Sequence, residues 1–248
     1  MDDHVLARRL AGRARDLLRR LRRERTDLEG ADLGREGDRQ AHALLLDALR
    51  DERPGDPVLS EEGGRPEERR SGRLWIVDPL DGTREYCDRN RGDWAVHVAL
   101  ADGGELVAGA VALASGRTHD TAEPAPLPGP RRRDRPRVVV SRSHRPALVD
   151  ALAEVLDVDL VPMGSAGVKA VEVCTGAADA YVHDGGQYEW DSAAPVAVAR
   201  AAGAHASRVD GSPLVYGNPG ASIPDLLICR PDLAEALLAA LSTARAAG

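Results

Sequence analysis

Apolar positions near the N-terminus recur on a helical period. Leu6, Leu10, Ala14, Leu17 and Leu21 follow one another at spacings of three and four, which predicts an amphipathic helix over residues 4–24 with an arginine-rich outer face. Such a face could dock on an acidic partner or a membrane, although a charge run of this kind is more often simply solvated. Ala43, Leu44, Leu46 and Leu49 repeat the pattern and predict a second helix over residues 36–50. "RPGDPVLSEEGG" then reads as a turn, a short strand at Val58 and Leu59, and a pair of glutamates, Glu61 and Glu62. Residues 74–77 form a continuous apolar run, the mark of a buried strand. "WAVHVAL" (94–100) and "ELVAGAVALA" (105–114) read as two further strands joined by the "ADGG" turn.

Residues 121–137, "TAEPAPLPGPRRRDRPR", are rich in proline and then arginine, and no core element fits there. They are expected to link an N-terminal half, residues 1–120, to a C-terminal half, residues 138–248. In the second half strands are expected at 138–140, 158–162, 179–183 and 225–229. Helices are expected at about 146–156, 165–176, 192–202 and 232–246. The alternation predicts an α/β class of layered α+β character. No internal repeat is visible.

Composition narrows the picture. The 248 residues suit one large domain or two half-domains around a shared site. Phe is absent, so Leu, Val and Ala must fill the interior. A net charge of −7 argues against a nucleic-acid binder, which needs a basic footprint. It leaves room for an anionic small substrate if metal ions supply positive charge locally. Cys87, Cys174 and Cys229 are odd in number and far apart, so a reducing cytoplasm is expected. The N-terminal segment has no continuous apolar run, and neither a signal peptide nor a membrane span is expected. The 33 basic residues include a single lysine, Lys169. Chance explains one survivor in an arginine-biased chain, and so does a need for a compact, flexible ammonium.

Several chemistries lack their motifs: there is no G-x-S-x-G, no G-x-x-x-x-G-K, no H-E-x-x-H and no C-x-x-C. Carboxylates stand out instead. Glu61 and Glu62 follow one apolar segment, Asp78 and Asp81 end another in "LWIVDPLDGT", and Asp191 opens a helix in "YEWDSAAP". Hard oxygen donors of this kind suit Mg2+. Pro79 restrains the backbone between the two aspartates, the Leu80 carbonyl adds an oxygen, and Gly82 permits close backbone approach. The amides of Gly82 and Thr83 could meet a phosphate, especially if a helix starts there. Each acid also has a plain structural reading: Asp78 and Asp81 as turn formers, the glutamates as a solvated loop, Asp191 as a helix cap.

"LSEE", "WIVDPLDGT" and "WDSAAPVAVARAAG", in that order, resemble the three signatures of the Mg2+-dependent, lithium-sensitive inositol monophosphatase superfamily. The resemblance spans about residues 34–229. "VVVSRSH" (138–144), "GQYEWDSAAP" and "HASRVDGSPLVY" resemble its CysQ-type branch, the 3'-phosphoadenosine 5'-phosphate phosphatases of actinobacteria. The resemblance implies a sugar-phosphatase fold of alternating α-β-α-β-α layers, with the active site between two halves. It implies two or three Mg2+ ions, inhibition by Li+, a role in sulfur assimilation, and a homodimer. Glu61, Asp78, Asp81 and Asp191 would be metal ligands with the Leu80 carbonyl, and Asp78 would bridge two ions. Glu61 and Thr83 would orient the attacking water. The Gly82 and Thr83 amides would hold the scissile phosphate beside Asp191. Ser141, Arg142, Ser143 and His144 would meet the ribose or the other phosphate, and Lys169 would contact substrate. Asp38 matches the last residue of a Thr-x-Ala-Asp motif near a third metal, but Gly37 precedes it and the threonine is missing. Inositol-1-phosphate and fructose-1,6-bisphosphate are the alternative substrates, and a non-catalytic nucleotide- or metal-binding protein is the alternative of another class.

Overall fold

The computed structural model describes residues 1–63, 72–129 and 134–247. Asp2 caps the first helix, α1 (Asp3–Glu24), its carboxylate accepting the Val5 N–H at 2.8 Å. Helix α2 (Gly30–Glu52) follows. The first sheet comprises β1 (Val58–Ser60), β2 (Arg73–Asp81), β3 (Ala95–Asp102), β4 (Glu105–Leu113) and β5 (Thr118–Asp120), in that spatial order. β1 runs parallel to β2 and the remaining pairs are antiparallel. A short helix, α3 (Thr83–Cys87), leaves the end of β2.

The second sheet contains β6 (Arg137–Ser141), β7 (Asp159–Met163), β8 (Ala180–Tyr188), β9 (His205–Ser207) and β10 (Ser222–Cys229), in the order β7-β6-β8-β10-β9. Helices α4 (Ala147–Val155), α5 (Ala166–Cys174), α6 (Glu189–Ala201) and α7 (Ala234–Ala247) accompany it. β6 pairs in parallel with β7 and β8, whereas β10 is antiparallel to both its neighbours.

Three apolar layers hold the sheets between helices. Trp75, Val77, Val96 and Val98 pack on Leu6, Leu10, Leu33 and Leu45 of α1 and α2. The opposite face of that sheet, through Leu74, Ile76, Ala99 and Val111, meets Val171, Val196 and Trp190 of α5 and α6, with Val139, Tyr181 and Ile228 of the second sheet in the same cluster. Val138, Val140, Val182 and Leu227 cover the far side with Val149, Leu152, Leu237 and Leu241 of α4 and α7. The layers therefore run α-β-α-β-α. Both faces of each sheet are covered, which is why the central strands read as continuous apolar runs. Small residues replace the missing phenylalanines by close approach: a Cβ on Gly109 would lie 2.6 Å from the Ala197 Cβ, so β4 and α6 meet at a glycine.

The element boundaries depart from the sequence expectation where pairing is non-local. β8 continues through Gly185 and Gly186 to Tyr188 because Tyr188 pairs with Ser222 of β10. Helix α6 then begins at once, at Glu189 rather than 192. α2 starts at Gly30, six residues before the expected start at 36, with Gly34 buried against Thr83 and Cys87. β5, β9 and α3 are too short to carry a period. Residues 130–133 of the expected linker lie outside the described residues; β6 begins at Arg137.

Candidate active site

Asp78 and Asp81 are three residues apart, and on a regular strand such residues face opposite sides. β2 is not regular there. Asp78 stands opposite His97 and Asp81 opposite Ala95, so β2 carries one residue more than β3 over this interval. The bulge brings the two carboxylates together. Pro79 offers no N–H to the ladder, and the Asp78 Oδ1 accepts the Leu80 N–H at 2.9 Å. Gly82 then turns the chain with φ +88°, where a Cβ would press within 3.2 Å of the Asp93 carbonyl oxygen. α3 begins on the next residue, and the Thr83 hydroxyl donates to the Leu80 carbonyl at 3.1 Å.

Asp191 is the third residue of α6, and its carboxylate accepts the Tyr188 N–H at 2.8 Å. It is a helix cap, and it also faces the aspartates of β2: ligand oxygens of Asp78, Asp81 and Asp191 all lie within 4.8 Å of one another. Glu61 joins from β1. The parallel register pairs Ser60 with Val77, and one step further along the chain Glu61 follows the strand toward the level of Asp78.

Carboxyls gathered this closely repel. Burial first, then Glu61, Asp81 and Asp191, holds the Asp78 carboxyl well above the ordinary carboxylate range. Burial and its acidic neighbours push Glu61 up to about 7. Burial and Asp81 push Asp191 up to about 6. Asp81 goes the other way. Burial opposes its charge, but the His97 imidazole, Lys169 and the Ser165 hydroxyl together hold it below the usual range. The His97 Nε2 lies 3.0 Å from the Asp81 Oδ2, and its Nδ1 lies 3.1 Å from the Trp190 carbonyl oxygen. The Gly167 N–H donates to the same Asp81 oxygen at 2.8 Å. A close set of mutually repelling oxygen donors, two of them buried, is what a hard divalent cation relieves, so the residues fit one.

Asp38 lies behind this cluster. Its Oδ2 is 3.5 Å from the Thr83 Oγ1, its Oδ1 is buried without a partner among the described residues, and burial with Glu61 and Glu62 pushes it up to about 8. At Gly37 a Cβ would lie 2.9 Å from the Tyr86 ring and 3.1 Å from Leu18. Tyr86 and Leu18 thus leave no room at Gly37 for the alanine of the Thr-x-Ala-Asp motif.

The carboxylates open into a cleft of about 510 Å³, the other side of which is lined by Ser141, Ser143, His144, Lys169, His183 and residues 185–188. Ser141, Ser143 and His144 face the cleft as sequence reasoning placed them. Arg142 does not line it: its guanidinium is turned onto the buried Glu85 of α3. Lys169 lines the cleft from α5, with its Nζ donating to the Gly164 and Ser165 carbonyls, the latter at 2.9 Å, and standing 5.1 Å from the Tyr181 ring centroid. Burial pulls its ammonium down to about 8 against the upward pull of the carboxylates.

Sequence reasoning missed His97, Ser165, Gly167, Arg84 and Glu85. His97 left one signal, a lone polar residue in "WAVHVAL". Ser165 and Gly167 left none, because their roles depend on α5 crossing over β2, whereas Arg84 and Glu85 directly follow Thr83 in the chain. A Cβ at Gly167 would fall 2.1 Å from the His97 Nε2, so only glycine lets that crossing occur.

Residues 4–246 match the profile of the inositol monophosphatase family. The 3'-phosphoadenosine 5'-phosphate phosphatase of Mycobacterium tuberculosis is 49% identical over 226 aligned residues, covering 86% of this chain and 83% of that protein. The protein of the same name from Mycobacterium leprae is 44% identical over 254, covering 96% and 93%. Among solved structures, CysQ from Bacteroides thetaiotaomicron, described as a bacterial member of the inositol monophosphatase family, superposes with a TM-score of 0.78 at 26% identity, covering 92% of this chain and 97% of that one. With the layers and carboxylates already in place, a match over nearly the whole length means that this chain belongs to the inositol monophosphatase family.

Proposed function

We propose that the protein is a Mg2+-dependent phosphomonoesterase that removes the 3'-phosphate from 3'-phosphoadenosine 5'-phosphate, and acts also on its 5'-phosphosulfate analogue. The observation that carries the reading is the convergence of Asp78, Asp81 and Asp191 within 4.8 Å of one another, two of which, Asp81 and Asp191, line a cleft large enough for a nucleotide. The names of the mycobacterial relatives supply the substrate.

Asp78, Asp81, Asp191 and Glu61, with the Leu80 carbonyl, would hold the metal. The bound ions would supply Lewis acidity toward the phosphoryl oxygens and the attacking water. Glu61 and Thr83 orient that water in line with the scissile bond, while the amides of Gly82 and Thr83 hold the phosphate. His97 keeps Asp81 ionised and fixed in orientation. Ser141, Ser143 and His144 receive the ribose and the second phosphate, and Arg84 adds positive charge at the cleft wall. Lys169 contributes a further positive charge beside the carboxylates. No nucleophilic side chain is required, in keeping with the missing motifs. No helix among the described residues is long and apolar enough to cross a membrane, and three free cysteines suit a cytoplasmic enzyme.

The test is phosphate release from 3'-phosphoadenosine 5'-phosphate, its 5'-phosphosulfate analogue, inositol-1-phosphate and fructose 1,6-bisphosphate, with and without Mg2+ and with Li+ added. The nucleotides should be the best substrates by kcat/KM, and activity should vanish on chelation. Preference for either non-nucleotide would move the assignment elsewhere in the family, and absence of release from all four would leave a binding protein.

A further inference from the structure

A second cleft, of about 490 Å³, lies on the first sheet's outer side, between the C-terminal half of α1, the segment after α3 and the β4–β5 turn. Arg19, Arg22, Arg23 and Arg89 line it together with Trp94, and among the described residues none of its lining is acidic. A protein with a net charge of −7 has carboxylates to spare, yet here Arg22 and Arg89 meet backbone carbonyls. Arg22 donates to the carbonyls of Arg91, at 2.9 Å, and Asp88. Arg89 donates to those of Arg22, Arg25 and Leu28, the last two at 3.0 Å. Carbonyls orient a guanidinium without neutralising it. Burial and the neighbouring Arg89 both oppose the charge on Arg22.

Hydrogen-bond accounting points the same way. Buried donors without an acceptor are rare in folded proteins. Two belong to residues that line this cleft: the Nε of Arg22 and the indole N–H of Trp94. Arg19 likewise has no acceptor among the described residues. Arg23 reaches the Glu24 carboxylate at 3.5 Å, but Arg19, Arg22 and Arg89 have no carboxylate partner among the described residues, and three such cations in a concave site lack an anion that accepts several hydrogen bonds at once.

We propose that this arginine cleft binds a tetrahedral oxyanion of the phosphate and sulfate class, at a site separate from the catalytic cleft. Trp94 is 1% exposed and presents no open face on which a nucleobase could stack, so the recognised group is the oxyanion itself. The cleft is also mechanically joined to α3. Arg22 stands 5.5 Å over the Tyr86 ring, and Tyr86 meets Trp94 edge-on at 5.2 Å between centroids. Tyr86 lies on α3, three residues from Thr83.

The three tryptophans make the test site-specific. In the 15N-labelled full chain the Trp94 indole reports on the arginine cleft, Trp190 on the neighbourhood of Asp191, and Trp75, whose N–H donates to Asp56 at 2.9 Å, serves as a fixed control. Titration with inorganic phosphate, and separately with sulfate, should shift the Trp94 resonance saturably with a Kd of about 1 mM or below. Arg19→Gln and Arg89→Gln should each weaken binding about tenfold. Arg19 is exposed, so its variant stays folded even if loss of the Arg89 carbonyl bonds does not. A Trp94 resonance that does not saturate, that moves equally with chloride at matched ionic strength, or that responds to phosphate as before in folded Arg19→Gln would overturn the proposal. So would phosphate moving Trp190 alone.

Discussion

The two ends of the catalytic cleft are built differently. At the carboxylate end the side chains are held by backbone that has little freedom: a bulge in β2, a left-handed glycine and the first turn of α6. Asp78 and Asp81 are buried there, and Asp81 accepts bonds from α5 as well as touching His97. At the opposite end Ser143, His144 and Tyr188 are exposed, and the two glycines at 185 and 186 both have positive φ. On the proposed reading, the charges that the chemistry needs fixed are set on elements with non-local bracing, whereas the proposed substrate contacts sit on exposed segments.

Substitutions at the two ends should differ accordingly. Asp81→Asn or Asp191→Asn should lower kcat on the order of 10²-fold or more while the circular-dichroism spectrum is retained. Near-normal Mg2+-dependent turnover in both would mean that the chemistry lies elsewhere. Next comes His97→Leu, which leaves every carboxylate in place. Losing the partner that braces Asp81 should weaken apparent Mg2+ affinity by about 10- to 100-fold, read from the Mg2+ dependence of both rate and melting temperature. An unchanged Mg2+ midpoint would show that the bulge alone positions Asp81. Lys169→Ala stands between the two ends. It should raise KM for a bisphosphorylated nucleotide about tenfold and for a simple sugar phosphate less; equal effects would confine Lys169 to bracing the Gly164 and Ser165 carbonyls. The smallest effect is expected for exposed His144→Ala, about two- to fivefold in KM with kcat unchanged. A kcat loss as large as that of Asp81→Asn would erase the distinction between the ends.

Much of this was open to inspection in the chain itself. The helical period of α1, the apolar run of β2 and the alternation in the second half are local patterns, and local patterns survive into the fold. The carboxylates could be singled out because hard donors at the ends of apolar segments are conspicuous. Their motifs occur in family order. Arg142 illustrates the limit: it stands in "SRSH" like its neighbours, but its guanidinium turns to Glu85, 57 residues earlier. Gly167 illustrates it again, since nothing around it in sequence says that a histidine from β3 fills the space where its side chain would be.

The sequence by itself determined the longer helices and strands, that the interior would be filled by small aliphatic side chains, and which oxygen donors were available. Only the tertiary structure decided that Asp78 and Asp81 share a side, because the extra residue of β2 is defined against β3 and not along its own chain. It also decided that Asp191 caps a helix and faces the aspartates at once, and that four arginines close on a space with no acid in it. Periodicity is a property of neighbours in the chain. Mutual repulsion, bracing and unsatisfied donors are properties of groups brought together from far apart, and they exist only once the layers have packed.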